Sequence, residues 1–237
     1  MRSFYISRRQ WKLALTYLFT LALMAGSAWL FLSEPETAPT LGEAYRSGTL
    51  ESNKISLTIN VDWGEEYIPD LLSVLSAYQV PATFFLTGRW ADNHPDLTGE
   101  IAAAGHEIGN HGYSHSSPNA SSIEEIQTEI TRTEQAIYQA TGTVTRLYAP
   151  PSGECEEHVV QAAEQAGYFT ILWSVDTIDW QKPDPETILQ RVRTKIHGGA
   201  IILAHPTAST VEALGSMIEE LEAEGYEFVT VSENLGI

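Results

Sequence analysis

The chain has little cysteine and few basic residues. Cys155 is the only cysteine among 237 residues, so no intrachain disulfide can form and metal clusters built on cysteine are excluded. Lys and Arg number 13 against 31 Asp and Glu, for a formal net charge of −18. This composition argues against nucleic-acid binding, which needs a basic surface. Wholesale disorder is excluded as well, because 43% of the residues are hydrophobic and only 19% are charged.

The basic residues are unevenly placed. Four of the 13 stand before the first acidic residue: Arg2, Arg8, Arg9 and Lys12. The remainder of the chain holds nine basic and 31 acidic residues, a net charge of −22. Residues 13–32 between the two regimes carry no charge, and about 20 such residues cross a bilayer. The pattern predicts a cytoplasmic basic tail at residues 1–12, a single-pass membrane anchor at residues 13–32 and an extracytoplasmic C-terminal part.

A cleaved secretory signal is the alternative interpretation of the N-terminus. The small residues at 26–28 offer a cleavage site, but the apolar run continues to residue 32, which makes a poor start for a mature protein. The following stretch begins SEPETAPT and is typical of an exposed linker. We therefore expect a linker at residues 33–50 and one folded domain at residues 51–237.

Within that domain, β-type segments alternate with helical ones. The predicted strands are residues 55–61, 82–86, 106–110, 145–149, 168–175, 200–204 and 226–230. The predicted helices are residues 68–78, 121–140, 154–166, 185–196 and 210–224. Ser121 and Glu124 predict a capping box at the clearest helix, which Gly142 ends. The alternation predicts an α/β fold with a closed or nearly closed barrel of about seven parallel strands, and a doubly wound sheet is the alternative.

Polar residues of the types that bind metals or transfer protons follow the predicted strands. In chain order they are Asn60, Asp62, His111, His115, the segment 150–153, Asp179 with Trp180, and His205. The C-terminal ends of parallel strands form one face of an α/β protein, and sites are built on that face. We therefore expect these side chains to converge.

Two histidines and one carboxylate form a candidate metal site. His111 and His115 are four residues apart, a spacing that places two imidazoles on one side of a turn, as a metal requires. Asp62 would complete a set of two histidines and one carboxylate with open positions for water. Taken singly, each residue also fits an ordinary role, as a surface histidine or a turn-forming acid.

Taken together, the segments resemble the polysaccharide deacetylase family with the NodB-homology domain, a family of carbohydrate esterases. The resemblance covers about residues 50–235. Its motifs are LTINVDWG at 57–64, PATFFL at 81–86 with Gly88, HEIGNH at 106–111 running on to His115, YAPPSG at 148–153, DTIDW at 176–180 and LAH at 203–205.

The resemblance implies a distorted (β/α) barrel and a divalent metal, most often zinc. It implies hydrolysis of N-acetyl groups on peptidoglycan or chitin-like glycans. In that scheme Asp62, His111 and His115 hold the metal. His205 protonates the leaving amine, and Asp179 sets the charge and orientation of His205. The residues implied for substrate binding are Trp180, Leu203 and Pro150.

The chain departs from the family pattern at two positions. Asn60 stands where the family has its general-base Asp, and an amide cannot take a proton from water at neutral pH. Val61 stands where the family has a ligating Asp, so Asp62 is either the ligand or a replacement for the base. Ala149 stands where the family has an Arg that pairs with the base. Loss of the base Asp alone would leave the Arg buried without a partner, which is costly. Replacement of both residues avoids this cost, so the two departures are consistent with each other.

The segments N-V-x-W-G-x-E-Y and A-P-P-S-G are similar to the spore-associated YlxY-type branch of the family. We therefore expect metal-dependent deacetylation of N-acetylated envelope or spore glycans with reduced catalysis. A catalytically inactive, glycan-binding pseudoenzyme is the alternative, and an unrelated structural envelope protein is a third hypothesis.

Overall fold

A computed structural model describes residues 39–237, together with Trp11 and Leu15. The predicted anchor at residues 13–32 lies outside the described residues except for Leu15, and the basic tail except for Trp11. No helix in the described part of the chain is long and apolar enough to cross a membrane. Residues from Pro39 to Ile237 form one compact unit.

Nine parallel-paired strands make the sheet of this unit. They are β1 (Ala44–Tyr45), β2 (Lys54–Val61), β3 (Thr83–Leu86), β4 (Glu107–Asn110), β5 (Leu147–Tyr148), β6 (Phe169–Ile171), β7 (Val175–Asp176), β8 (Ile201–Ala204) and β9 (Glu227–Phe228). Their spatial order is β1-β6-β5-β4-β3-β2-β8-β7, with β9 beside β2. β1 lies in the segment for which a linker was expected, so the sheet begins before residue 51.

The sheet curls round towards closure. The predicted strand at residues 168–175 is in fact two strands, β6 and β7, which lie near opposite ends of the strand order yet are joined by only three residues, 172–174. Backbone hydrogen bonds tie this connection to both sides, from Leu172 N to Tyr45 O and from Ser174 N to Ile201 O. The two edges of the sheet must therefore lie close together, which gives the distorted barrel that was predicted and rules out the doubly wound sheet.

Eight α-helices accompany the strands of this unit, seven between strands and the last after β9. They are α1 (Ile68–Tyr78), α2 (Gly88–Asn93), α3 (Pro95–Ala103), α4 (Ile123–Thr141), α5 (Glu157–Gln165), α6 (Pro185–Arg193), α7 (Ala208–Ala223) and α8 (Val231–Leu235). The capping box of α4 lies one residue later than predicted, at Ser122 and Glu125. The predicted box at Ser121 is wrong because Ser121 instead ends the preceding 3-10 turn. Gly142 ends α4 in a left-handed conformation, as predicted.

The central strand β2 separates two packing environments. Its residues Ile55, Leu57 and Ile59 are fully buried in the cluster formed with the surrounding helices. The alternate residues point the opposite way, because successive side chains of a strand face opposite sides. That second side holds a smaller cluster that includes Phe85 and Ile201 together with Val231 of α8. The alternation places Asn60 on this inner side, at the C-terminal end of the strand.

Candidate active site

The predicted convergence of polar residues takes place at the C-terminal ends of the strands. Asn60 at the end of β2 lies against His111, which follows β4, with the amide Nδ2 3.5 Å from the imidazole Nε2. His111 in turn packs edge-on against His115, with ring centroids 5.1 Å apart. His205, which follows β8, is close enough to influence the charge of His111. One face of the sheet thus carries these four side chains.

His111 is the most deeply buried histidine of the site. Its Nδ1 lies 2.6 Å from the carbonyl oxygen of Ala149, and because a carbonyl only accepts, Nδ1 carries the proton. Burial, reinforced by the nearby His115, lowers the pKa of His111 to about 3 against the opposing effect of the bond to Ala149. The ring is therefore neutral near pH 7, with its Nε2 lone pair directed towards Asn60.

The loop that carries His115 is held by a carboxylate of α4. Oε2 of Glu129 accepts hydrogen bonds from the backbone nitrogens of Tyr113 and Ser114, at 3.0 and 2.7 Å. His115 follows in a left-handed conformation with φ of 56°, which is uncommon outside glycine. These contacts fold the loop back so that His115 meets His111.

Asp62 faces a different partner from the one predicted. Its Oδ1 accepts from the Thr87 hydroxyl at 2.8 Å, and Nη2 of Arg89 lies 2.8 Å from both carboxylate oxygens. Among residues 39–237, no three His, Cys, Asp or Glu side chains are arranged to hold a metal ion. The donor set thus fits a metal only in part, since two imidazoles meet while the carboxylate is engaged by Arg89.

His205 and Asp179 form the second polar pair of the site. Asp179 is fully buried, and its Oδ1 accepts from Nδ1 of His205 at 2.7 Å. Its Oδ2 accepts from the backbone nitrogen of His205 and from the hydroxyl of Thr210, both at 2.6 Å. The imidazole is thereby held with its Nε2 directed away from Asp179. This is the arrangement that orients a proton-donating histidine.

The three predicted substrate-binding residues differ in exposure. Trp180 directly follows Asp179, and 53% of its surface is exposed. Leu203 is buried in β8, two residues before His205, and Pro150 is buried just after β5. Trp180 is thus available to a ligand over a large area. Leu203 and Pro150 are buried and can contribute only to the wall of a binding site.

Two residues of this face were not predicted from the sequence. Trp63 stacks on the His205 ring, with centroids 6.1 Å apart and planes 5° from parallel, and 41% of its surface stays exposed. Arg89 forms the ion pair with Asp62. Trp63 could have been noticed as a large aromatic residue directly after a candidate site acid. Nothing in the local sequence around Arg89 points to its partner 27 residues away.

The protein is thus a distorted (β/α) barrel that carries a histidine pair and a histidine–aspartate pair on the C-terminal face of its sheet. The sequence profile of the polysaccharide deacetylase family matches residues 47–171. The chain belongs to the polysaccharide deacetylase family, carbohydrate esterase family 4.

Characterised and uncharacterised bacterial proteins are similar in sequence. YlxY of Bacillus subtilis, an uncharacterised protein, is 41% identical over 191 residues, which cover 81% of this chain and 60% of the relative. The chain therefore spans less than two thirds of that relative. A peptidoglycan-N-acetylglucosamine deacetylase of Bacillus cereus is 34% identical over 192 residues, covering 78% of this chain and 69% of the enzyme.

Solved structures agree with the fold. A wild-type pseudoenzyme of family CE4 from Bacillus anthracis is 43% identical with a TM-score of 0.80, over 82% of this chain and 69% of that one. A mutant of that pseudoenzyme with restored enzymatic activity matches with the same TM-score at 41% identity, over 82% of this chain and 71% of that one. The similar proteins thus include both a peptidoglycan deacetylase and a protein described as a pseudoenzyme.

Proposed function

We propose that the chain binds an N-acetylated peptidoglycan-type glycan on this face and has lost most of the deacetylase rate of its relatives. The observation that carries the proposal is the side chain of Asn60, an amide that contacts His111 where the family has a base. The nearest alternative carboxylate, that of Asp62, is engaged by Arg89. The place of the family's base is therefore taken by a side chain that cannot accept a proton at neutral pH.

The expected loss of rate is large. Acid–base assistance contributes about 10²–10⁴ in rate, equivalent to roughly 3–5 kcal/mol of barrier. An amide in place of the base forfeits this contribution, because its nitrogen has no lone pair free to bind a proton at neutral pH. Binding does not depend on the base and can persist without it.

Features that suit a sugar ligand are retained. Trp63 and Trp180 expose 41% and 53% of their surfaces around His205 and Asp179, and aromatic faces pack well against the apolar faces of sugar rings. Asn60 is 6% exposed, and its Oδ1 has no hydrogen-bond partner among the described residues. An unpaired buried acceptor is costly, and the N–H of an acetamido group would satisfy it only after a side-chain shift that opens this oxygen to the ligand. Peptidoglycan deacetylases among the relatives support this substrate class.

Slow, metal-dependent deacetylation is the second candidate. The intact pair of His205 and Asp179 favours it, because that pair has no evident use in binding alone. The cofactor would be a divalent cation, zinc by family resemblance, and it would supply an activated water. The neutral His111 and the adjacent His115 are suited to hold it. Asp62 could join them only after leaving Arg89.

Two measurements on the unit from Pro39 to Ile237 separate the candidates. Binding of chitooligosaccharides and of muropeptides, followed by calorimetry, tests the first. Release of acetate from the same glycans, with zinc and with a chelator, tests the second. Binding without acetate release supports the first proposal, and metal-dependent release supports the second. Absence of both would refute a glycan role.

We propose an extracytoplasmic location for the folded unit, attached to the membrane through residues 13–32. The basic flank and the uncharged run support this, and a secreted form after signal cleavage is the alternative. The similarity to the YlxY-type branch extends the proposal to spore envelope glycans. Protease treatment of intact cells and N-terminal sequencing test it, and a mature N-terminus near residue 29 would refute the anchor.

A further inference from the structure

Both oxygens of the Asp62 carboxylate contact other side chains of the protein. Nη2 of Arg89 lies 2.8 Å from each of its oxygens, and the Thr87 hydroxyl donates to Oδ1 at 2.8 Å. The Asp62 side chain is largely shielded from solvent, with 18% of its surface exposed. The Arg89 side chain is half exposed, at 51% of its surface, so solvent screens the pair and the position of the guanidinium matters more than burial. Arg89 therefore neutralises Asp62 without any bound ion.

The backbone around Arg89 fixes this pair next to the histidines. The amide nitrogen of Arg89 donates to the carbonyl of Tyr113, and that of Gly88 donates to the carbonyl of Gly112, both at 3.0 Å. Tyr113 and Gly112 belong to the loop between His111 and His115. The start of α2 is thus bonded to the histidine loop on one side, while the Arg89 side chain reaches Asp62 on the other.

Arg89 and a divalent cation would compete for the same carboxylate. A guanidinium stays charged at all accessible pH values, so the competition cannot be relieved by deprotonation. A metal that took Asp62 would have to break the ion pair and leave a second positive charge close by. Two imidazoles alone form a weaker site than two imidazoles and a carboxylate.

We propose that Arg89 takes the place of a divalent cation at Asp62, so that the chain binds such ions weakly until Arg89 is removed. The inference concerns metal affinity and does not depend on glycan binding. It assigns Arg89 the role of a positioning residue whose positive charge replaces that of the metal.

Cobalt and zinc titrations of the full chain, followed by calorimetry and by the visible spectrum of bound cobalt, test the proposal. Arg89→Gln should gain one site, with affinity raised by about tenfold or more, because the guanidinium no longer occupies the carboxylate or repels the ion. Arg89→Lys keeps the charge and should stay weak. Arg132→Gln is the matched control, because the Arg132 guanidinium lies 3.6 Å from the centroid of the Tyr113 ring, in the loop between His111 and His115. This variant also removes a positive charge near the histidines and should leave the metal affinity unchanged.

A double variant, Arg89→Gln with Asp62→Asn, distinguishes a new carboxylate ligand from simple relief of repulsion. Loss of the gain supports the proposal, and persistence of the gain overturns it. Thermal unfolding of each variant checks that the fold is kept. Wild-type protein that already binds one zinc tightly through Asp62 would overturn the proposal without any variant.

Discussion

Asp179 holds His205 at two points, with one oxygen on the imidazole Nδ1 and the other on the backbone nitrogen of the same residue. The carboxylate thus fixes both the ring and the chain that carries it. The hydroxyl of Thr210 donates a third hydrogen bond to this buried group. The orientation of His205 is therefore built into β8 and the start of α7.

Thr210→Val tests the strength of this arrangement. It removes a hydrogen bond to a buried carboxylate, so we expect the free energy of unfolding to fall by about 1.5–3 kcal/mol. Urea unfolding measures the loss. Thr194→Val removes an exposed hydroxyl at the end of α6 and should change stability by less than about 0.5 kcal/mol. Equal losses in the two variants would show that Asp179 does not depend on Thr210.

Restoring the family's base and its partner should have more than additive effects. His111 contacts Asn60 through Nε2 and Ala149 through Nδ1, so the two positions flank one ring. Asn60→Asp alone adds a buried carboxylate without a partner, and its pKa should rise by desolvation. Ala149→Arg supplies the partner and lowers that pKa again.

Acetate release by the wild type, both single variants and the double variant measures the coupling. We expect the double variant to exceed the product of the single effects. A wild type as fast as the double variant would mean that Asn60 is not a lost base. Four inactive proteins that still bind glycan would support the pseudoenzyme function.

Trp63→Ala should weaken glycan binding. The indole is exposed and stacks on His205, and aromatic stacking contributes about 0.5–1.5 kcal/mol, so the dissociation constant should rise by roughly two- to tenfold. Trp63→Phe should retain part of the affinity. Tyr138→Ala removes an even more exposed ring from α4, at 54% against 41% for Trp63, and should have no effect in the same calorimetric titration. A loss shared by all three variants would argue against a specific role for Trp63.

The buried His111 should make stability depend on pH. Its pKa is lowered from 6.5 to about 3 in the folded state. Between pH 3 and pH 6.5, the histidine is therefore protonated in the unfolded chain but not in the folded chain. Stability contributed by the neutral ring is complete above pH 6.5 and is lost as pH falls towards 3, at up to about 1.4 kcal/mol per pH unit.

Unfolding of His111→Asn between pH 7 and 4 checks this expectation. Its free energy of unfolding should fall less steeply on acidification than that of the wild type, whatever its absolute value. His158→Asn, which alters a partly exposed histidine, should keep the wild-type slope. Parallel curves for the wild type and His111→Asn would contradict neutral burial.

Local patterns sufficed for the long elements but not for the short ones. β2 and α1 were predicted closely, because an eight-residue strand with alternating apolar residues and an eleven-residue amphipathic helix carry strong signals. α2 has only six residues, and only His94 separates it from Pro95 and the next helix, so no helical period can develop in it. Residues 168–175 form one apolar run in sequence, and their division into β6 and β7 depends on two distant partners, β1 and β8.

The site shows the same limit. Strand ends placed Asn60, His111 and His205 on one face, because parallel strands leave no other arrangement. The partner of Asp62 could not be predicted in this way, since the choice between His111 and Arg89 depends on side-chain directions that arise only after β2, α2 and the histidine loop pack together. The sequence therefore predicted which residues belong to the site better than it predicted which of them contact one another.

The two residues of β1 have a consequence for where the domain can be cut. They pair with Thr170 and Ile171 of β6, and Tyr45 also accepts a hydrogen bond from Leu172 through its carbonyl. A fragment that starts at residue 51 would uncover this side of β6 and offer its free backbone groups to another molecule. Unprotected strand edges promote self-association, so such a fragment should aggregate through that edge, whereas one that starts at residue 39 keeps the edge covered.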